Sequence, residues 1–282
     1  MTLIKSAALI PLLLTFCCYL QAGDPRIVSL APSLTEIICA LGAEQYLVGV
    51  TDYCLYPASV TTRTKVGGYL NPNVEVVSSL TPDLVFALPE HRDVSERLEH
   101  LGMKVVTLRN WNLDELFLSI TEVGRVLNRV QQAQQLTTKL LNEQSALERK
   151  GKTRPKCLLV LGSMGMGDES IEEVYLVARN GFLNDLLVLA GGENIWQKSK
   201  PYFPKVGQEV LLDLNPEIII ELVPQNDLGE DQVVGKRATW ARVPFLKAAQ
   251  ANYHIIAFDH VLQAGPRYIE TLRQLTAIMD AQ

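Results

Sequence analysis

Beyond its first two dozen residues the chain has no run of 18 apolar residues, so no later segment offers the length of a bilayer-spanning helix. It has no block of Lys and Arg, and its formal net charge is −5. That excludes nucleic acid and anionic lipid as partners, because their phosphates demand clustered cations. Charged residues are only 20% and hydrophobic residues reach 48%, which excludes disorder. Catalytic signatures are also missing: there is no serine in a nucleophile elbow, no H-E-x-x-H, and no Cys and His at motif spacing. Gly162-Ser163-Met164-Gly165-Met166-Gly167 is glycine-rich but lacks the Lys-Ser/Thr ending of a phosphate loop, and is expected to be a loop at a cleft mouth.

Cysteine is sparse. Cys17 and Cys18 fall in residues 1–23, which read as an export signal: Lys5, an apolar run from Ala7 to Leu20, then Gln21-Ala22-Gly23. A periplasmic protein is expected. Lipid anchoring through Cys17 or Cys18 is the alternative, although Phe16 and Cys17 suit a lipobox poorly. Cys39, Cys54 and Cys157 remain, at spacings of no zinc or redox motif. A Cys39–Cys54 bridge is open to an exported chain, but Cys39 lies in an apolar helical pattern that favours a buried thiol.

What the chain does contain is a repeat. Glu75-Val76 followed by Thr81-Pro82-Asp83-Leu84-Val85-Phe86 is echoed by Glu209-Val210 followed by Asn215-Pro216-Glu217-Ile218-Ile219-Ile220. An aromatic, Tyr69 or Phe203, stands six residues before each glutamate, and a proline, Pro82 or Pro216, seven after it. Asn184 to Gly191 likewise echoes Thr35 to Gly42. Two lobes of similar build follow, with a ligand between them and a partner touching both.

Apolar runs at 26–30, 47–50, 83–87, 104–108, 156–161, 174–178, 217–222 and 254–258 alternate with helical patterns. This is the grammar of an α/β fold whose doubly wound lobes carry parallel sheets. Ser33-Leu34-Thr35-Glu36 reads as a capping box opening a helix that closes at Gly42. The expected organisation is a signal at 1–23, an N-terminal lobe at 24–112, a connecting helix at 113–152 and a C-terminal lobe at 153–282. From Asp114 to Lys150 apolar residues keep one helical face without a proline. If continuous, this rod is on the order of 50 Å long and resists hinge opening; the alternative is two helices joined near Asn128.

Ligands of open α/β sheets gather at the carboxyl ends of strands. Tyr53, Tyr56 and Tyr69 from one lobe face Phe182, Tyr202, Phe203 and Trp240 from the other, as walls for a large planar ligand. His91 and His260 follow strands in opposite lobes, where solvated loop histidines compete with metal ligation. Glu75 and Glu209 read either as helix-start carboxylates or as matched docking charges. Asp259 with His260 also suits an acid and base pair, the basis of a rival reading as an exported α/β enzyme.

From Arg26-Ile27-Val28-Ser29-Leu30-Ala31-Pro32 through Gly191-Gly192-Glu193-Asn194-Ile195 to Gly265-Pro266-Arg267, the chain resembles periplasmic substrate-binding proteins of the helical-backbone class. These serve ABC importers for cobalamin, haem and ferric siderophores, and the resemblance is strongest to the cobalamin-binding members. It implies no catalysis, no metal site, no cofactor beyond the bound chelate, and a monomer that meets an inner-membrane permease. By position, Glu75 and Glu209 match the family's docking glutamates. Tyr53 matches its cleft tyrosine, Tyr69 and Phe203 stand where cobalamin binders carry tryptophans, Asp259 matches a cleft aspartate near the ligand, and Asp259 with His260 is expected to supply polar contacts. Leu88 and Gln263 depart from an expected aromatic and an expected arginine.

Overall fold

The structure, a computed structural model, describes residues 24–151, 153–164, 171, 173–225, 228–243 and 246–282. The signal expected at 1–23 and the end of the glycine-rich segment, from Gly165, lie outside the described residues.

The N-terminal lobe follows the apolar runs closely. Strands β1 (Ile27–Ser29), β2 (Leu47–Val50), β3 (Thr64–Lys65), β4 (Leu84–Ala87) and β5 (Val105–Thr107) form a parallel sheet in the order β3-β2-β1-β4-β5. Helices α1 (Pro32–Ala40), α2 (Val74–Ser79) and α3 (Arg92–His100) supply the crossovers. Strands β1 and β4 are buried on both faces, which is why they read as unbroken apolar runs. Helix α1 starts one residue before the expected box: Pro32 presets the first helical φ, and Ala31 is the cap without a side-chain hydrogen bond. Glu36 therefore caps nothing and is free for another partner. The helix ends at Gly42, whose φ of +70° suits a residue without Cβ.

The connection between lobes is not one rod. Helices α4 (Leu113–Val126) and α5 (Val130–Leu147) are separated by Leu127 to Arg129, with Asn128 at φ +54°. The two helices then pack closely on each other. A Cβ on Gly124 would lie 2.5 Å from that of Ala133 and 3.1 Å from the Arg129 carbonyl oxygen, so the helices cross at a point where only hydrogen fits.

The C-terminal lobe contains β6 (Lys156–Met164), β7 (Glu173–Leu176), β8 (Glu193–Asn194), β9 (Lys205–Gly207), β10 (Ile218–Val223) and β11 (Tyr253–Ala257). Its sheet runs β11-β10-β6-β7-β9, with β8 beside β6. The expectation of a parallel sheet needs correction here. Strand β7 pairs antiparallel with both β6 and β9, so the sheet is mixed: parallel along β11-β10-β6 and antiparallel from β6 to β9. Helices α6 (Phe182–Leu189), α7 (Gln208–Leu214), α8 (Glu230–Ala241), α9 (Lys247–Ala251) and α10 (Tyr268–Asp280) complete the lobe.

One apolar core crosses the lobe boundary, joining Ile37, Leu116, Leu140, Leu186 and Leu272. Polar contacts sew the same seam. Asp185 on α6 accepts a hydrogen bond from the Leu113 amide at 3.1 Å, the Trp111 carbonyl accepts from the Phe182 amide at 2.7 Å, and Asn110 donates to the Ala264 carbonyl at 3.2 Å.

Candidate functional site: a cleft between the lobes

The strand ends of both lobes converge on a cleft of about 880 Å³. From the N-terminal lobe come Tyr53 after β2, Tyr69 and Leu70 after β3, Leu88 and Glu90 after β4, and Asn110 with Trp111 after β5. The opposite wall is Leu161, Tyr175, Val177, Phe182, Tyr202 and Phe203, closed by Leu262, Gln263 and Ala264 after β11. Tyr53 and Phe203, at 62% and 50% exposure, present open faces to anything entering. Trp111 and Tyr202 stack across the seam with centroids 4.8 Å apart at 21°. Trp111 lies beyond the run at 104–108, in an irregular segment that carries no pattern of its own to mark it.

Among the described residues the lining is mainly apolar, and its polar part carries no cation. Ser33, Asn71, Asn110, Asn180 and Gln263 supply hydroxyl and amide groups, and Glu90 is the one ionised side chain among the described lining residues. Leu88 and Gln263, which replace an expected aromatic and an expected arginine, both lie in this wall.

Tyr69 is held firmly. Its hydroxyl donates to the Glu90 carboxylate, and burial together with that carboxylate pushes the phenol above its ordinary range. His91 packs edge-on against the ring at 5.1 Å and is buried. It is therefore neither a solvated loop residue nor a ligand in the cleft: the Leu88 amide donates to Nδ1 at 3.0 Å, and Nε2 lies 2.8 Å from the Tyr69 carbonyl.

Asp259 and His260 are not in the lining. Arg267 donates to both Asp259 oxygens, at 2.8 and 3.1 Å, and His260 Nδ1 lies 3.1 Å from Asp259. Burial works to raise the Asp259 carboxyl, but the hydrogen bonds from Arg267 and His260 outweigh it and hold it below its ordinary value. Arg267 also grips Glu36 from the other lobe and stacks its guanidinium 4.0 Å over the Tyr56 ring. This is a structural network behind the cleft. Trp240 is likewise buried away from it, donating to Glu221 at 2.9 Å. Among the described residues no group of carboxylate, thiol and imidazole side chains has the spacing of a metal site. Cys39 and Cys54 are free thiols, with Cys54 buried and hydrogen-bonded to Thr35 at 3.2 Å. Burial pushes Cys39 up to about 12.

Glu75 and Glu209 are exposed in the first turns of α2 and α7. Asn73 caps α2 by accepting from the Glu75 and Val76 amides at 2.9 and 3.1 Å, so the Glu75 carboxylate has no capping duty and points to solvent.

Twin α/β lobes around an aromatic cleft are the architecture of two-lobed solute-binding proteins. The chain belongs to the periplasmic binding protein family, which matches residues 27–254, the family of solute-binding components of ABC transporters. It is 29% identical over 255 residues to an uncharacterised ABC transporter substrate-binding lipoprotein of Bacillus subtilis, covering 89% of this chain and 78% of that one. It is 30% identical to the vitamin B12-binding protein of Salmonella typhimurium, over 76% of this chain and 77% of that protein. The periplasmic heme-binding protein RhuT from Roseiflexus superposes with a TM-score of 0.74 at 27% identity, covering 92% of this chain and 99% of that one. Among the described residues no helix is long and apolar enough to cross a membrane.

Proposed function

We propose that the protein captures a corrinoid, cobalamin or a close relative, in the periplasm and hands it to an inner-membrane ABC permease without chemical change. The observation that carries this reading is the character of the cleft wall. Tyr53, Tyr69, Trp111 and Phe203 offer faces for a flat macrocycle, while the polar groups between them are neutral amides and hydroxyls. A corrinoid bears carboxamides, which pair with Asn71, Asn110, Asn180 and Gln263. Haem carries propionates and ferric siderophores are commonly anionic. Against a wall whose ionised group is Glu90, both would lose solvation without gaining a cation.

Haem also asks for an axial ligand. Neither histidine supplies one, since both nitrogens of His91 are engaged and His260 stands outside the lining, which leaves the exposed Tyr53 as the side chain a haem iron would have to use. The enzyme reading loses its acid and base pair for the same reason, since Asp259 is paired to Arg267 behind the cleft. Glu75 and Glu209, exposed at matching places on the two lobes, are the proposed contacts with basic pockets of the permease.

The test is mass spectrometry of ligand retained by native protein from the periplasm, followed by titration with cyanocobalamin and with hemin. Saturable binding of cyanocobalamin and weak or no binding of hemin is the expected result. A shifted Soret band at stoichiometric hemin, without cyanocobalamin binding, would overturn it.

A further inference from the structure

His91 is 1% exposed and sits directly behind two pieces of the cleft wall that are 19 positions apart in sequence, Tyr69 and Leu88. A backbone N–H can only donate, so the Leu88 amide at 3.0 Å fixes Nδ1 as the acceptor. Nε2 then carries the proton and donates it to the Tyr69 carbonyl at 2.8 Å. The ring edge against Tyr69 is a third contact, with an interplanar angle of 78°. One small side chain thus joins the loops after β3 and β4, and it has no spare atom to offer a ligand.

We propose that His91 is a positioning residue for ligand capture: its two ring nitrogens tie the Tyr69 and Leu88 segments into a single wall. The proposal rests on the corrinoid reading of the cleft for its choice of ligand. Its physical content is a donor and acceptor pattern that only the neutral imidazole provides. A proton on Nδ1 would face the Leu88 N–H, two donors against each other, and a buried amide would lose its partner. The titratable groups around the ring are few. From the loop after β3 comes the Tyr69 phenol, bound to Glu90; Leu88 contributes only backbone. Arg92, next in the chain, is turned to Glu96 in solvent. Burial favours the neutral ring and the Glu90 charge favours the imidazolium, with burial prevailing. Acidification therefore loosens the wall below the ordinary imidazole range.

The experiment is a cyanocobalamin titration of wild type, His91→Gln and Glu90→Gln from neutral to acid pH, with melting curves to establish folding. Wild type is expected to lose affinity about tenfold along an acid limb, the effect of one broken hydrogen bond in the wall. His91→Gln should bind about tenfold more weakly at neutral pH and show no such limb. In Glu90→Gln, which keeps an acceptor for Tyr69 but removes the charge, the limb should move to lower pH. In the ligand-free protein, the Leu88 and Leu70 amide NMR signals should titrate together with the His91 ring. If His91→Gln keeps wild-type affinity or keeps the acid limb, or if those amides ignore the ring's titration, the proposal is wrong. If wild type ignores cyanocobalamin at neutral pH, the corrinoid reading fails instead, and the ligand-free amide titration still decides the role of His91.

Discussion

Arg267 and Glu36, 231 positions apart in sequence, hold the two lobes together: the guanidinium Nε donates to Glu36 Oε2 at 3.1 Å, with the carboxylate 4% exposed and the guanidinium 14%. Removing one member of a buried pair can strand the other. In Glu36→Ala the guanidinium keeps Asp259, whereas Arg267→Ala strands the buried Glu36 carboxylate and should cost about 3–5 kcal/mol of unfolding free energy. Replacing both, as Glu36→Leu with Arg267→Met, should recover much of that loss. Urea denaturation of the three proteins measures this, and equal stabilities of the single and double variants would contradict it.

Asp259 gives the same network a pH signature. Its folded value lies below the unfolded 3.8, so the stability it contributes is present above that value and is lost as the pH falls through the folded one. Melting temperature should decline on acidification below about pH 4, and Asp259→Asn should flatten that decline. Because the pair lies behind the cleft, the same substitution should leave cyanocobalamin affinity at neutral pH near wild type. A large loss of affinity would place Asp259 in ligand contact after all.

Within the cleft, Phe203→Ala and Tyr53→Ala should each weaken cyanocobalamin binding by about tenfold, from lost burial and ring contact. Trp111 is the tryptophan in the wall, whereas Trp196 and Trp240 are buried elsewhere. Ligand-dependent quenching of fluorescence should disappear in Trp111→Phe. Undiminished quenching there would remove Trp111 from the binding surface.

Glu75→Ala with Glu209→Ala should abolish uptake in cells while leaving the cyanocobalamin Kd within about twofold of wild type, as expected of charges that act on encounter with a partner. Affinity lost in parallel with uptake would relocate these carboxylates to the ligand.

Lobe separation should change little on binding, since a shared core and the Arg267–Glu36 contact cross the seam. Scattering profiles of free and loaded protein check this, and a hinge-like closure would refute it.

The sequence exposed the parts governed by local pattern. All eight apolar runs are strands, and β1, β4 and β10, buried on both faces, leave no polar alternation to misread. Tyr53, Tyr69 and Phe203 were found because strand ends predict where ligands collect, and all three line the cleft. What stayed hidden depends on tertiary partners. Glu36 looked like half of a capping box, and only Arg267 from the far end of the chain shows otherwise. The interruption at Asn128 rests on a left-handed backbone and a close Gly124–Ala133 approach, neither of which helical periodicity reports. Strands β3, β8 and β9 are two or three residues long and carry no periodicity to read. Asp259 and His260 follow a strand as cleft residues do, yet a neighbouring arginine draws them inward.

That bare hydrogen at Gly124 has a mechanical meaning. The span between the halves behaves as a jointed elbow whose set angle is dictated by how closely two helices approach, rather than as a beam whose stiffness comes from length. A single methyl at position 124 would re-aim one half against the other and widen or pinch the mouth that receives the guest, without altering any atom that touches it.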